Sequence, residues 1–114
     1  MHELSIATEI VDIAQQEATR RGVRVSAVHL KLGPLSGVVK EALLSAWEIA
    51  ATGTELEGSR LEVEDVPVSA MCPTCGQPRT VDSSEWLRCP VCHTPLSDIQ
   101  GGAELEVTGL EIAE

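Results

Sequence analysis

The chain has 114 residues, 43% hydrophobic and 23% charged, and 18 Asp+Glu against 8 Lys+Arg leave a formal net charge of −10. That size predicts one domain, or one domain plus a small metal-stabilised module, around a modest aliphatic core, since there are two Trp and no Phe or Tyr. The charge argues against nucleic acid and anionic membrane surfaces, both bound through Lys and Arg, and no apolar run reaches the length of a membrane span.

Residues 3 to 21 carry apolar side chains at helical spacing. Leu4, Ala7, Val11, Ala14 and Ala18 form one stripe, which Ile6, Ile10 and Ile13 widen. Arg20 and Arg21 suit the negative end of the helix dipole, and Gly22 suits a left-handed cap. Residues 23 to 32 alternate as a strand with Val28, Leu30 and Leu32 on one face, and Gly33-Pro34 stops it. Ser36 reads as the N-cap of a second helix over 38 to 51, whose buried stripe is Val39, Leu43, Ala46, Trp47 and Ala50. A strand over 60 to 68 turns Leu61 and Val63 inward and Glu62 and Glu64 outward. Its apolar phase shifts near Asp65, which predicts a bulge or a twist.

At Met71 the composition changes. Residues 72 to 95 hold all four cysteines and four of the six prolines, with no helical period. Strand alternation resumes over 103 to 112 through Leu105, Val107, Leu110 and Ile112. The order predicts an α+β fold: a small three-stranded sheet with two helices on one face, plus an inserted zinc-ribbon module. The α+β domain takes residues 1–70 and 102–114, and the module takes 71–101.

Cys72-Pro-Thr-Cys75 and Cys89-Pro-Val-Cys92 are C-x-x-C pairs separated by 13 residues, the spacing of a zinc ribbon. Two disulfides or one thioredoxin-type pair are the competing readings; the first suits an oxidising compartment and the second leaves a pair idle. Four thiolates close the coordination sphere of zinc, so the site is expected to be structural and to fold the segment around it. His93, directly after Cys92, reads either as an exposed loop residue or as a group that exchanges with a thiolate or senses pH. Arg79 and Arg88 against Asp82 and Glu85, with Trp86 as the one aromatic, make no basic stripe or stacking platform.

Met1-His2-Glu3-Leu4 lacks the basic start and apolar stretch of a secretory signal, so a soluble, cytoplasmic protein is expected. His2 is too large for Met1 to be removed readily, which leaves a free amine. That amine, the His2 amide nitrogen and the His2 imidazole can close consecutive chelate rings on one ion. Completed by Glu3, the set suits a square-planar or tetragonal ion, Ni(II) or Cu(II). On residue chemistry alone, a histidine at position 2 is usually incidental.

Met-His-Glu-Leu-Ser at the start, Leu32-Gly33-Pro34-Leu35-Ser36-Gly37, then Gly53-Thr54-x-Leu56-x-Gly58, and the two C-x-x-C pairs before a final acidic strand occur in that order. In that order they resemble the HypA/HybF family of nickel metallochaperones for NiFe-hydrogenase maturation, over essentially the whole chain. The resemblance implies that Met1, His2 and Glu3 bind Ni(II) as transient cargo and that Cys72, Cys75, Cys89 and Cys92 bind structural Zn(II). It implies no catalytic activity, and cooperation with the maturation GTPase HypB, the hydrogenase large subunit and, in some members, urease maturation proteins. One departure is His93, where relatives often carry glycine. His29 matches no family site and reads as a structural or surface residue. The competing function is a zinc-ribbon interaction adaptor that ignores nickel; a monomer and a homodimer are both compatible with the sequence.

Overall fold

Ala7, Ala14 and Ala18 let the first helix approach its neighbours closely, and the branched Ile6, Ile10 and Val11 fill the space between. The computed structural model describes residues 2–113. Helix α1 spans Glu3–Arg21 and helix α2 spans Lys40–Ala51. The strands are β1 (Arg24–Leu32), β2 (Arg60–Asp65), β3 (Val68–Cys72), β4 (Gln77–Val81), β5 (Ser97–Gly101) and β6 (Leu105–Ala113). They form two three-stranded sheets of order β2-β1-β6 and β4-β3-β5. The α+β class and the cysteine-bearing ribbon are as expected. No helix among the described residues is long and apolar enough to cross a membrane.

The chain divides into two compact units. The first holds residues 1–30, 38–64 and 106–114. Its α1 packs on α2, and its core is Ile6, Ala7, Ile10, Val11, Ala14 and Ala18 with Val25, Ala27, Val28, Leu30, Leu43, Ala46, Trp47, Ala51, Leu56 and Leu61. The Trp47 indole N–H donates to the Ser59 carbonyl at 3.3 Å, so the one large aromatic of this core keeps its polar atom satisfied. The helix stripes are narrower than their spacing predicts. Leu4, Ile13 and Val39 are about half exposed, and Ala51 rather than Ala50 is fully buried. Helix α1 ends at Gly22, φ 65°, whose N–H donates to the Ala18 and Thr19 carbonyls.

Ser36 does not cap α2. Pro34–Ser36 form a single 3-10 turn, Gly37 breaks it at φ 79°, and Val39 is the N-cap residue. Proline's fixed φ starts the short turn, and the left-handed glycine then prevents it from running into the helix.

The second unit holds residues 31–37 and 65–105. The phase shift near Asp65 is a change of sheet: β2 ends there and, after Val66-Pro67, β3 begins in the other sheet. Proline cannot donate to a ladder, which favours a break at that point. Strand β3 is central, antiparallel to β4 with Ala70 opposite Arg79 and Cys72 opposite Gln77, and antiparallel to β5 with an irregular register. Its alternate residues Val68, Ala70 and Cys72 are buried.

Gly33 sits where backbone meets backbone. Its N–H donates to the Glu104 carbonyl at 2.8 Å, the Leu35 N–H donates to the Gly102 carbonyl at 2.7 Å, and a Cβ on Gly33 would lie 2.1 Å from that Gly102 oxygen. Gly33→Ala therefore has to push two hydrogen-bonded segments apart. The expected cost is about 1–3 kcal/mol, read as a lowered urea midpoint with an unchanged slope; an unshifted midpoint would refute the close approach.

Candidate metal centre

Strand β3 delivers Cys72 to the start of a tight knuckle. The Cys75 N–H donates to Cys72 Sγ at 3.3 Å, and the Gly76 N–H donates to the Cys72 carbonyl at 2.8 Å, with Gly76 at φ 65°. The second knuckle repeats the plan. The Val91 N–H donates to Cys89 Sγ at 3.4 Å, the His93 N–H donates to the Cys89 carbonyl at 2.9 Å, and His93 stands at φ 63°. Each knuckle thus needs a left-handed residue after its second cysteine. Glycine meets that need freely in one, and histidine, which tolerates this region better than most residues, meets it in the other.

None of the four cysteines is in a disulfide. Cys72 Sγ lies 3.4 Å from Cys92 Sγ and Cys75 Sγ lies 3.9 Å from Cys89 Sγ, and all four sulfurs fall within 4.8 Å of one another. A tetrahedral zinc with bonds of about 2.3 Å requires sulfurs about 3.8 Å apart. The spacing therefore fits a four-thiolate zinc site and is far too long for S–S bonds of about 2.05 Å. Cys72 and Cys89 are buried, and a zinc ion held by all four thiolates would have no open position for a reacting water.

The electrostatics favour thiolates unevenly. Burial opposes ionisation of Cys89, but the Cys92 amide, the Arg79 guanidinium and the Val91 amide together pull its thiol down to about 6. The Cys92 sulfur pushes Cys75 up to about 11, against the pull of Arg79. Thr94, through its hydroxyl and its amide, holds Cys92 below the ordinary thiol range. Four sulfurs this close cannot all ionise without a cation among them, and a divalent ion supplies that charge.

His93 contributes its backbone to the knuckle, and its ring meets the edge of Trp86 at a centroid distance of 6.4 Å. Among the described residues, the four cysteines are the only cluster of three or more His, Cys, Asp or Glu groups close enough to share an ion, and His93 is outside it.

Of the N-terminal residues, Met1 lies outside the described residues. His2 is exposed and is the N-cap residue of α1, with its carbonyl accepting from the Ser5 and Ile6 amides at 3.1 and 3.3 Å. As N-cap, its own amide nitrogen has no intrahelical carbonyl to donate to. Glu3 is half-buried, and its Oε2 accepts the Val39 N–H at 3.2 Å. That bond, followed by the Glu3 amide itself, holds the carboxyl below its ordinary range. The contact joins the first turn of α1 to the start of α2, a task that nothing in the local sequence signals. His29 lies on the central strand of the first sheet, 3.3 Å from Glu111, which also pairs with Arg60 at 2.9 Å.

The family model described as hydrogenase/urease nickel incorporation, metallochaperone, hypA matches residues 1–112. The hydrogenase maturation factor HypA of Roseiflexus sp. (strain RS-1) is 47% identical over 112 residues, 97% of this chain and 91% of that protein. That of Chloroflexus aurantiacus is 49% identical over 112 residues, 97% and 98% of the two chains. The fold is similar to the solution structure of the Ni metallochaperone HypA from Helicobacter pylori, with a TM-score of 0.64 at 22% identity over 98% of this chain and 97% of that one. A second solution structure of HypA protein gives 0.69 at 22% identity, over 99% and 97%. The chain belongs to the HypA family, whose members are metallochaperones and maturation factors for nickel incorporation, not enzymes.

Proposed function

We propose that this chain carries Ni(II) for NiFe-hydrogenase maturation, taking the ion at the Met1 amine, His2 and Glu3, while zinc at Cys72, Cys75, Cys89 and Cys92 holds the ribbon together. The observation that carries this reading is a pair of ligand sets of opposite chemistry. One is a closed cage of four sulfurs, two of them buried, with no room for cargo. The other is an exposed imidazole and a carboxylate in the first turn of α1. Soft thiolates select zinc, and imidazole, amine and amide nitrogens suit nickel, so the two ions do not compete for one site.

A carrier has to surrender its cargo. Ligands drawn from consecutive residues at one end of a helix can be replaced singly by an acceptor site, whereas a four-thiolate cage opens only by losing the module's fold. The proposed partners are the maturation GTPase HypB and the hydrogenase large subunit, with urease maturation proteins as further recipients, all in the cytoplasm. The test is native mass spectrometry of the untagged, zinc-loaded protein titrated with nickel. One retained zinc plus one added nickel per chain is expected. Zinc alone at modest nickel excess would overturn the carrier reading and leave a zinc-ribbon interaction adaptor.

A further inference from the structure

The cysteine unit carries two arginines between its first and last cysteine, and they are used differently. Arg88 donates through Nη1 to the His93 carbonyl at 3.1 Å, and its guanidinium lies 5.7 Å from the Trp86 ring centroid. Arg79 turns the other way. Its Nε–H donates to Cys89 Sγ at 3.3 Å, and its Nη1 donates to the Pro78 carbonyl at 3.3 Å. The ladder fixes its position, since Arg79 stands opposite Ala70 on β3, the strand that also ends in Cys72. The half-buried guanidinium is therefore held by its strand and by two hydrogen bonds, with one donor aimed at a fully buried sulfur.

We infer that Arg79 is a positioning residue for the cage, donating to Cys89 Sγ and setting how firmly that thiolate stays on the metal. The inference rests on the reading of the four cysteines as a zinc site. Zinc with four thiolates carries a net charge of −2, and a guanidinium at hydrogen-bond distance offsets part of it. The N–H···S bond also draws electron density from the sulfur, so the ligand attracts protons and electrophiles less. Cys89 accepts from the Val91 amide as well, at 3.4 Å, so the charged donor adds to backbone donation on the same sulfur. Groups hydrogen-bonded to metal ligands commonly control affinity by about 10–100-fold. Lysine cannot fully replace arginine here, because its rotating ammonium lacks the rigid Nε donor.

The test compares wild type with Arg79→Met, Arg79→Gln and Arg79→Lys, and uses Arg24→Met, at an exposed arginine of the helical unit, as the control. Zinc is transferred to excess chromogenic chelator, and cobalt replaces zinc in a parallel sample. In Arg79→Met, zinc loss is expected to be about tenfold faster or more, and the sulfur-to-cobalt charge-transfer band is expected to move to lower energy. Arg79→Gln and Arg79→Lys are expected to fall between Arg79→Met and wild type, and Arg24→Met is expected to match wild type. A purely structural role for Arg79 would lower thermal stability without moving the band, and would overturn the inference. Wild-type rates and band in all three variants would overturn it too, with the zinc assignment intact. A wild-type chain that takes up no zinc would overturn both.

Discussion

Cys72→Ser is expected to strip zinc from the chain and to unfold residues 68–101, while the helical unit stays folded. The serine hydroxyl remains protonated near neutral pH and is a hard oxygen donor, so the cage is left with three sulfurs crowded within 4.8 Å and no full shell for the ion. Little else holds that segment. Its buried apolar side chains are Val68, Ala70 and the ligands Cys72 and Cys89, and its exposed ones include Trp86, Val91 and Ile99. Structural zinc supplies about 10–16 kcal/mol of apparent binding energy to small cysteine modules, as much as the whole stability of an ordinary domain. The helical unit has its own core from Ile6 through Leu61, including Trp47 and Leu43, and needs no metal to bury it. Zinc content should fall from one per chain to none. Amide exchange should accelerate across 68–101 and stay slow in α1, α2 and β1. A variant that kept its zinc and its protection would refute the structural role of the site.

What the sequence made legible follows from where the controlling interactions lie along the chain. Helix α1 could be bounded closely because its signals are local: apolar spacing, two arginines and a glycine at its end. The cysteine cage was equally readable, since each knuckle is completed within five residues and the pairing of two such motifs has few other uses. Long-range partners were not readable. Glu3 holds Val39 from 36 positions away, and Arg79 reaches Cys89 in the other knuckle. The shift near Asp65 was visible as a break in alternation. It could not be read as a change of sheet, because a bulge in one strand and a step into another leave the same apolar pattern. Leu4, Ile13 and Val39 have the right spacing for burial and stay half exposed, because periodicity gives the direction of a face but not how much of it a neighbour covers. Gly33 is the reverse case. The sequence marked it as a strand stop and as part of the Leu32–Gly37 motif, but its physical constraint is the Gly102 carbonyl, 69 residues further on.

The proposed nickel site at the N-terminus yields the second large effect. His2→Gln is expected to weaken nickel binding on the order of a hundredfold or more, since removing a ligand costs at least what removing its supporting hydrogen bond does. Zinc content and thermal unfolding should not change, because the His2 side chain is exposed and makes no capping hydrogen bond. An N-terminal extension is expected to act similarly, by converting the amine to an amide. Glu3 separates the ligand role from the structural one. Glu3→Ala removes both the carboxylate and the acceptor for the Val39 N–H, so nickel binding and Tm should fall together, the latter by a few degrees as for a lost helix cap. Glu3→Gln keeps a carbonyl oxygen for Val39 and loses only the charge, so nickel binding should weaken while Tm falls less than in Glu3→Ala. The pH dependence has a defined sign. A carboxyl depressed below its ordinary value of 4.5 contributes fully above that value and loses its contribution only as the pH falls through the lowered folded value. Stability owed to Glu3 is therefore constant from pH 8 to about 5 and declines only in more acid solution, and Glu3→Ala should make the acid-side decline shallower than in wild type. Unchanged nickel affinity in both His2→Gln and Glu3→Gln would place the cargo elsewhere on the chain, and would leave Glu3 with the single task of joining α1 to the start of α2.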